Sequence, residues 1–203
     1  MKLYYLPGTS SLFPHIVLLE AELAFDLVEV DEHTRTAADG RDYKTVNPLG
    51  YVPALELDDG SVLTEAAAIA QYVADRVPAK QLAPPNGTFA RARLQSWLNF
   101  IASELQLGTF CPLFDPEIPP PVKANFRRRL SSRFAHVEQH LLQNAYLLGN
   151  AFSIADVYLF VVSGWARALN ADLSRYPRVL DLRKRIGARP AAQEAMRREK
   201  LIS

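Results

Sequence analysis

Residues 1–76 alternate between apolar patterns with the period of a strand and apolar patterns with the period of a helix. Strands are predicted over residues 3–6 and 25–30, and a helix over residues 11–21 lies between them. A short helical turn over residues 41–46 follows, and then a hairpin and a second helix. This order of elements predicts a small mixed sheet flanked by helices, which is an α/β domain.

The pattern becomes helical beyond a cluster of helix breakers, Pro84-Pro85-Asn86-Gly87, so we place a linker within residues 78–87. We therefore predict two domains, residues 1–78 and residues 88–203, of which the second is all-helical. The predicted helices of this second half span residues 89–107, 122–146, 179–186 and 191–198.

One further helix start is marked by the sequence FSIADV at residues 152–157. Ser153 stands at the N-cap position with Asp156 three residues later, and Phe152 and Val157 are spaced as a hydrophobic staple. This motif predicts a structural helix start rather than a catalytic site.

The composition limits the classes of function. A chain of 203 residues with 49% hydrophobic content can bury a full core, and a net charge of +1 favours neither nucleic acid nor an anionic membrane. Cys111 is the only cysteine, so we expect no disulfide framework and no metal site, and we expect this thiol to be a small buried hydrophobe. Without a charged leader or a membrane-spanning stretch, we expect a soluble, cytoplasmic protein.

The run NPLGYVPAL at residues 47–55 carries the most informative chemistry. Pro53 permits a cis peptide after Val52, which would turn the backbone donor and acceptor of Val52 toward a short extended peptide. A helix is then predicted to open at Thr64 and Glu65. Its free N–H groups suit a substrate carboxylate, and Glu65 suits an ammonium group. Glutathione carries both groups at its γ-glutamyl end.

With these motifs in place, the chain resembles the cytosolic glutathione transferases over essentially its whole length, and most closely the bacterial beta class. The matching segments of the first half are MKLYY, PG, SL, PHI, NP, VP, LTE, AI and QY, within residues 1–72. Those of the second half include Glu104, PLF at residues 112–114, IAD at 154–156 and YLF at 158–160. The resemblance implies an α/β thioredoxin-like N-terminal domain followed by an all-α domain, a homodimer, and glutathione as cosubstrate without a metal.

The resemblance also implies which residues bind glutathione, with some of the helical ones acting across the dimer interface. They are Ser10, Arg35, Tyr51, Val52, Pro53, Glu65, Ala66, Asn99, Ser103, Glu104 and Gln106. Helical spacing places Asn99, Ser103 and Gln106 near one face.

Four of these positions depart from the beta-class pattern. Ser10 stands where the class usually has cysteine, and Gln106 stands where it usually has histidine. Arg35 replaces a lysine and Tyr51 a glutamine. The departures bear on the redox side-activities of the class more than on its binding of glutathione, because Ser10 cannot form a mixed disulfide.

The chemistry expected of this family is conjugation of the glutathione thiolate to a hydrophobic electrophile, as in detoxification. We predict that Ser10 or Ser11, with nearby backbone N–H groups, holds the sulfur as thiolate, although both serines also suit a helix cap. Tyr4 and Tyr5 are other hydroxyl candidates that we interpret as packing residues, and His15 is interpreted as a packed, hydrogen-bonded histidine.

The electrophile is expected between the domains, with three aromatic side chains as wall or core residues: Phe110, Phe114 and Trp165. Two other functions stay open at this stage. One is a non-catalytic protein that binds glutathione or another ligand, and the other is a glutathione-dependent thiol oxidoreductase, against which Ser10 argues.

Overall fold

Residues 1–203 are described by a computed structural model, whose packing divides the chain into two compact units. The first unit comprises Met1–Ala83 and Ala188–Ser203, and the second unit comprises Pro84–Gly187. None of the helices combines the length and the apolar character that crossing a membrane requires.

The first unit is built on a four-stranded mixed sheet in the order β2-β1-β3-β4. Its strands are Lys2–Tyr5 (β1), Asp26–Glu29 (β2), Ala54–Glu56 (β3) and Val62–Thr64 (β4). β1 pairs in parallel with β2, whereas β3 runs antiparallel to both of its neighbours. The predicted mixed sheet is confirmed, and the bounds of β1 and β2 differ from the prediction by one residue at each end.

Three helices complete this unit. They are α1 (Leu12–Glu20), α2 (Ala66–Asp75) and α8 (Pro190–Arg198), with 3₁₀ turns at Tyr43–Thr45 and Pro78–Lys80. α1 is buried from Leu12 to Leu18, which explains why its sequence is apolar on nearly every side. α8 packs on α1, and the Arg189 guanidinium donates to both Glu20 carboxylate oxygens at 2.6 and 2.8 Å.

The second unit is all-helical. Its helices are α3 (Phe89–Asn99), a π-helical segment (Phe100–Phe110), α4 (Cys111–Phe114), α5 (Pro120–Leu141), α6 (Ile154–Gly164) and α7 (Pro177–Gly187). α6 is buried along ten consecutive residues and forms the centre of this unit. The thioredoxin-like α/β unit and the all-helical unit together confirm the predicted fold class.

The predicted start of α6 is also observed. The Asp156 carboxylate accepts from the Ser153 N–H at 2.8 Å and from the Ser153 hydroxyl at 3.1 Å. It accepts a third bond from the Leu147 N–H at 2.8 Å. Since burial penalises the charged form, the pKa of Asp156 is raised to about 6.

Two helical predictions differ from the structure. The helix expected over residues 89–107 continues without a break to Phe114, and its middle is π-helical. In this segment a Cβ atom on Gly108 would lie 2.6 Å from the Ser103 carbonyl oxygen, so glycine allows the close approach. The helix expected over residues 122–146 ends at Leu141.

The two packing units differ from the predicted segments 1–78 and 88–203 at the end of the chain. Residues 188–203 belong with the sheet because α8 packs on α1. The helical pattern of α8 carries no information about its partner, so the sequence placed it with the other helices.

Candidate functional site

The sheet brings three of the predicted segments to one end of the first unit. β1 ends at Tyr5 and leads into the turn that carries Ser10. Tyr4 pairs with Ala54, and Ala54 pairs with Thr64, so the start of β3 and the end of β4 lie at that same end. Neighbouring strands are separated by about 4.8 Å, which places β1 and β4 about 10 Å apart. An extended tripeptide has about that length.

Ser10 and Ser11 have different surroundings. The Ser11 side chain is fully buried, and its hydroxyl accepts from the Leu6 N–H at 3.2 Å and lies 3.0 Å from the Leu6 carbonyl and 2.9 Å from the Thr9 hydroxyl. Ser10 is partly exposed, and neither its N–H nor its hydroxyl has a hydrogen-bond partner within the chain. Ser11 therefore holds the turn together, whereas Ser10 offers two free donors.

The first backbone N–H groups of α1 are not available to a ligand. Those of Leu12 and Phe13 donate to the carbonyls of Thr9 and Ser10, both at 3.2 Å. The sequence analysis expected nearby backbone N–H groups to help hold the sulfur, but the tight turns at the start of α1 use those of Leu12 and Phe13. Of the N–H groups of residues 10–13, that of Ser10 alone has no partner within the chain.

The Val52–Pro53 peptide is cis, a conformation that the sequence permitted. No hydrogen bond within the chain uses the N–H or the carbonyl of Val52. Its side chain packs against the core cluster that contains Tyr4 and Tyr43, while its backbone remains free to pair with an extended peptide.

Glu65 follows β4 and precedes α2, and its side chain is exposed. Its φ of 68° lies in the left-handed region, which is rare for a residue with a side chain and costs of the order of 1–3 kcal/mol. Ala66 is the first residue of α2, and its N–H has no partner within the chain. A carboxylate and an unpaired helix-start donor thus lie side by side.

The loop between β2 and β3 carries Arg35 and Tyr51. The Arg35 guanidinium donates to the Gly50 carbonyl at 3.2 Å. The Tyr51 side chain is 69% exposed, and its carbonyl accepts from the Tyr43 hydroxyl at 2.8 Å and the Asn47 amide at 2.6 Å. Burial raises the pKa of Tyr43 to about 12, so this hydroxyl remains a donor.

The four helical candidates lie in the second unit. Asn99 and Ser103 are exposed, and the Ser103 hydroxyl donates to the Asn99 carbonyl at 2.8 Å. Glu104 accepts from two Arg133 guanidinium nitrogens, at 2.9 and 2.5 Å.

Gln106 is half-buried, and its side-chain oxygen accepts from the Tyr158 hydroxyl at 2.7 Å. The expected common face of Asn99, Ser103 and Gln106 assumed α-helical spacing, which the wider π-helical turn changes.

The tyrosines of β1 pack as predicted. The fully buried Tyr4 donates to Glu56 at 2.7 Å, and the 6% exposed Tyr5 donates to Glu29 at 3.3 Å. Burial and the neighbouring Glu29 raise the pKa of Tyr5 to about 12. Neither hydroxyl is free to meet a ligand.

One functional neighbour escaped the sequence analysis. The buried Glu199 accepts from the Gly8 N–H at 2.9 Å and lies 2.8 Å from Nδ1 of His15, which is itself buried and bonded as predicted. Glu199 is 184 residues from His15, so no local motif could have indicated the contact.

The expectation that Cys111 is buried is wrong, because its side chain is exposed. Neighbouring atoms still desolvate the thiol enough to raise its pKa, which makes it a weak nucleophile. Of the expected aromatic residues, Phe110 is fully buried, whereas Phe114 is 45% exposed and meets the ring of Trp165 edge-on at 6.3 Å.

Comparison with known proteins agrees with this geometry. The glutathione S-transferase N-terminal domain matches residues 11–76, and the C-terminal domain of the same family matches residues 120–185. Glutathione S-transferase GstA of Escherichia coli O157:H7 is 43% identical over 201 residues, which cover 99% of this chain and 100% of that protein.

Two solved structures are similar throughout. BphK, a bacterial glutathione S-transferase solved as a ternary complex, is 53% identical with a TM-score of 0.96, covering 98% of this chain and 100% of its own. A sphingomonad glutathione S-transferase in complex with glutathione is 42% identical with a TM-score of 0.95, and each chain is covered completely. This chain therefore belongs to the glutathione S-transferase family.

Proposed function

We propose that this protein joins glutathione to a hydrophobic electrophile, and that Ser10 stabilises the glutathione thiolate. The observation that carries the proposal is the pair of unpaired donors on Ser10, its N–H and its hydroxyl, beside a sheet end of tripeptide length. The sphingomonad relative, solved with glutathione, supports the choice of tripeptide.

The energy required is small enough for these two donors. A thiol with a pKa of about 8.5 is about 3% ionised at pH 7, and lowering that pKa by about two units takes about 2.7 kcal/mol. Each hydrogen bond to a charged acceptor supplies about 1.5–3 kcal/mol. Two bonds from Ser10 therefore supply the required free energy without a contribution from the α1 terminus.

The rest of the tripeptide would be held along the sheet end. The free N–H and carbonyl of Val52, which precedes the cis bond to Pro53, would pair with its cysteinyl backbone. Glu65 and the Ala66 N–H suit the γ-glutamyl ammonium and carboxylate. Arg35 would meet the glycine carboxylate, with Tyr51 beside it.

The four helical residues are proposed as further contacts to glutathione: Asn99, Ser103, Glu104 and Gln106. Glu104 and Gln106 already have partners in Arg133 and Tyr158, which would fix their side chains before a ligand arrives. Fixed polar groups bind with a smaller loss of conformational entropy than free ones.

A titration tests the proposal directly. Calorimetry should show binding of glutathione, and ultraviolet absorbance of the bound thiolate should titrate well below the free thiol. Assays with aryl halides, isothiocyanates and epoxides at pH 7 should then show rates above free glutathione. A bound thiol with an unshifted pKa would make the protein a carrier, and failure to bind would reject the assignment entirely.

We also propose a homodimer that acts in the cytoplasm, in detoxification. Leu49 and Tyr51 are large apolar side chains that are 72% and 69% exposed in the single chain, and a partner subunit would cover such groups. Sedimentation analysis at micromolar concentration should give twice the chain mass, and a monomer at that concentration would contradict the proposal.

A further inference from the structure

The turn that carries Ser10 is hydrogen-bonded to a buried carboxylate from the far end of the chain. Glu199 is 2% exposed and lies just past the end of α8. One of its oxygens accepts from the Gly8 N–H at 2.9 Å, and the other lies 2.8 Å from Nδ1 of His15. Because a carboxylate only accepts, that imidazole nitrogen carries the proton.

The bond to Gly8 differs from the other backbone bonds of this turn. The N–H groups of Leu6, Thr9 and Ser11 all bond to acceptors within residues 6–11. The Gly8 N–H instead bonds to an acceptor 191 residues away. Glu199 therefore links this turn to the segment that follows α8.

The residues that follow α8 pack closely against the turn that carries Ser10. Gly8 has a φ of +71°, and a Cβ atom at this position would lie 3.3 Å from Leu201, so the segment after α8 lies directly against the turn. The second imidazole nitrogen of His15, Nε2, is buried without a hydrogen-bond partner. Glu199 is thus the only side chain that holds the imidazole by a hydrogen bond.

We propose that Glu199 is a positioning residue for the thiolate site, because it binds Gly8 and His15 on either side of Ser10. It does not touch the sulfur. Its effect is to fix the direction of the Ser10 N–H and hydroxyl, which the proposed function requires to point at one sulfur position. This inference rests on the proposed function.

The substitution E199Q tests it with little change of volume. Glutamine keeps one acceptor oxygen for two donors, so either Gly8 or His15 loses its bond, unless the imidazole proton moves to the buried Nε2. The matched control is E194Q on α8, where the side chain forms exposed ion pairs with Arg197 and Arg198. E199D, whose carboxylate is one methylene shorter, should act in the same direction if E199Q folds poorly.

The expected result is a change in the reaction without a comparable loss of binding. For E199Q the pKa of bound glutathione should rise by about one unit, and kcat at pH 7 with saturating glutathione should fall about threefold. The KM for glutathione should stay within about twofold, because the γ-glutamyl contacts are unchanged. Amide exchange of Gly8 in the ligand-free protein should accelerate at least tenfold, and E194Q should match the wild type throughout.

The outcomes separate the two proposals. If wild-type protein binds glutathione with an unshifted thiol, the proposed function fails and this inference fails with it. If the wild-type thiol is shifted and E199Q keeps the wild-type pKa and kcat, this inference alone is overturned. Unchanged Gly8 exchange in both E199Q and E199D likewise overturns it, whatever the activity.

Discussion

Replacing Ser10 by alanine removes one of the two free donors while leaving the turn intact, since the Ser10 side chain makes no hydrogen bond within the chain. A hydrogen bond to the thiolate contributes about 1.5–3 kcal/mol, so S10A should raise the pKa of bound glutathione by about one to two units. From a starting value of about 6.5, the ionised fraction at pH 7 then falls roughly 3- to 25-fold.

The assay is the conjugation rate at saturating glutathione from pH 6 to pH 9.5, together with the ultraviolet titration of the bound thiolate. The rate loss of S10A should be largest near pH 7 and should shrink above pH 9, where the thiol ionises without help. Thermal unfolding should change little. A rate loss that is the same at every pH would refute the reasoning, because it would mean that Ser10 acts on something other than thiol ionisation.

S11A is the matched variant, and we expect it to lose stability while changing the thiol pKa less than S10A does. Removing the Ser11 hydroxyl leaves the half-buried Leu6 N–H without its acceptor, which should cost about 2 kcal/mol and lower Tm by about 4–8 °C. The thiol pKa should move less than in S10A. If S11A shifts the thiol pKa more than S10A does, the roles of the two serines are the opposite of those proposed.

Substitutions of three other residues, Asp156, Gly108 and Cys111, test separate parts of the structure. D156A removes the acceptor of two buried N–H groups and should lower the free energy of unfolding by about 3 kcal/mol in denaturant titrations. The raised pKa of Asp156, about 6 against 3.8, means that the folded protein binds this proton more tightly than the unfolded chain does. That stabilisation is complete below about pH 4 and is lost as pH rises through about 6, about 3 kcal/mol in all, so D156N should abolish the dependence. G108A would place Cβ 2.6 Å from the Ser103 carbonyl oxygen and should lower Tm, whereas G164A, whose Cβ would lie at an ordinary contact distance of 3.4 Å from Arg183, should not. C111S should keep the conjugation activity, and in the wild-type protein labelling of the Cys111 thiol at pH 7 should be slow because neighbouring atoms desolvate it and raise its pKa.

A specific outcome would contradict each of these three predictions. If D156N keeps the wild-type slope between about pH 4 and pH 6, another group produces that slope. Equal melting temperatures for G108A and G164A would contradict the close approach in the π-helical segment. Loss of activity in C111S would return the cysteine to the reaction and favour thiol exchange.

The elements predicted from the sequence are present because their signals are local. The breaker cluster after residue 83, the capping motif of Ser153 and Asp156, and the cis bond before Pro53 all depend on residues a few positions apart. The π-helical segment was missed, because an apolar period of 3.6 residues is assumed whenever a helix is inferred. The exposure of Cys111 was missed because the sequence around a single cysteine does not indicate whether its side chain is buried.

The features of the candidate site also fall into those that the sequence indicated and those that only the structure revealed. By itself, the sequence predicted the fold class from periodicity and short motifs, and the resemblance that those motifs carry indicated the family and the positions proposed to meet a tripeptide. Only the tertiary structure distinguishes Ser10 from Ser11, which are chemically identical and adjacent, because Ser11 is fully buried and bonded to Leu6 whereas Ser10 is partly exposed. It alone also joined Glu199 to Gly8 and His15, since a contact across most of the chain is fixed by how α8 packs on α1 and leaves no pattern in the sequence.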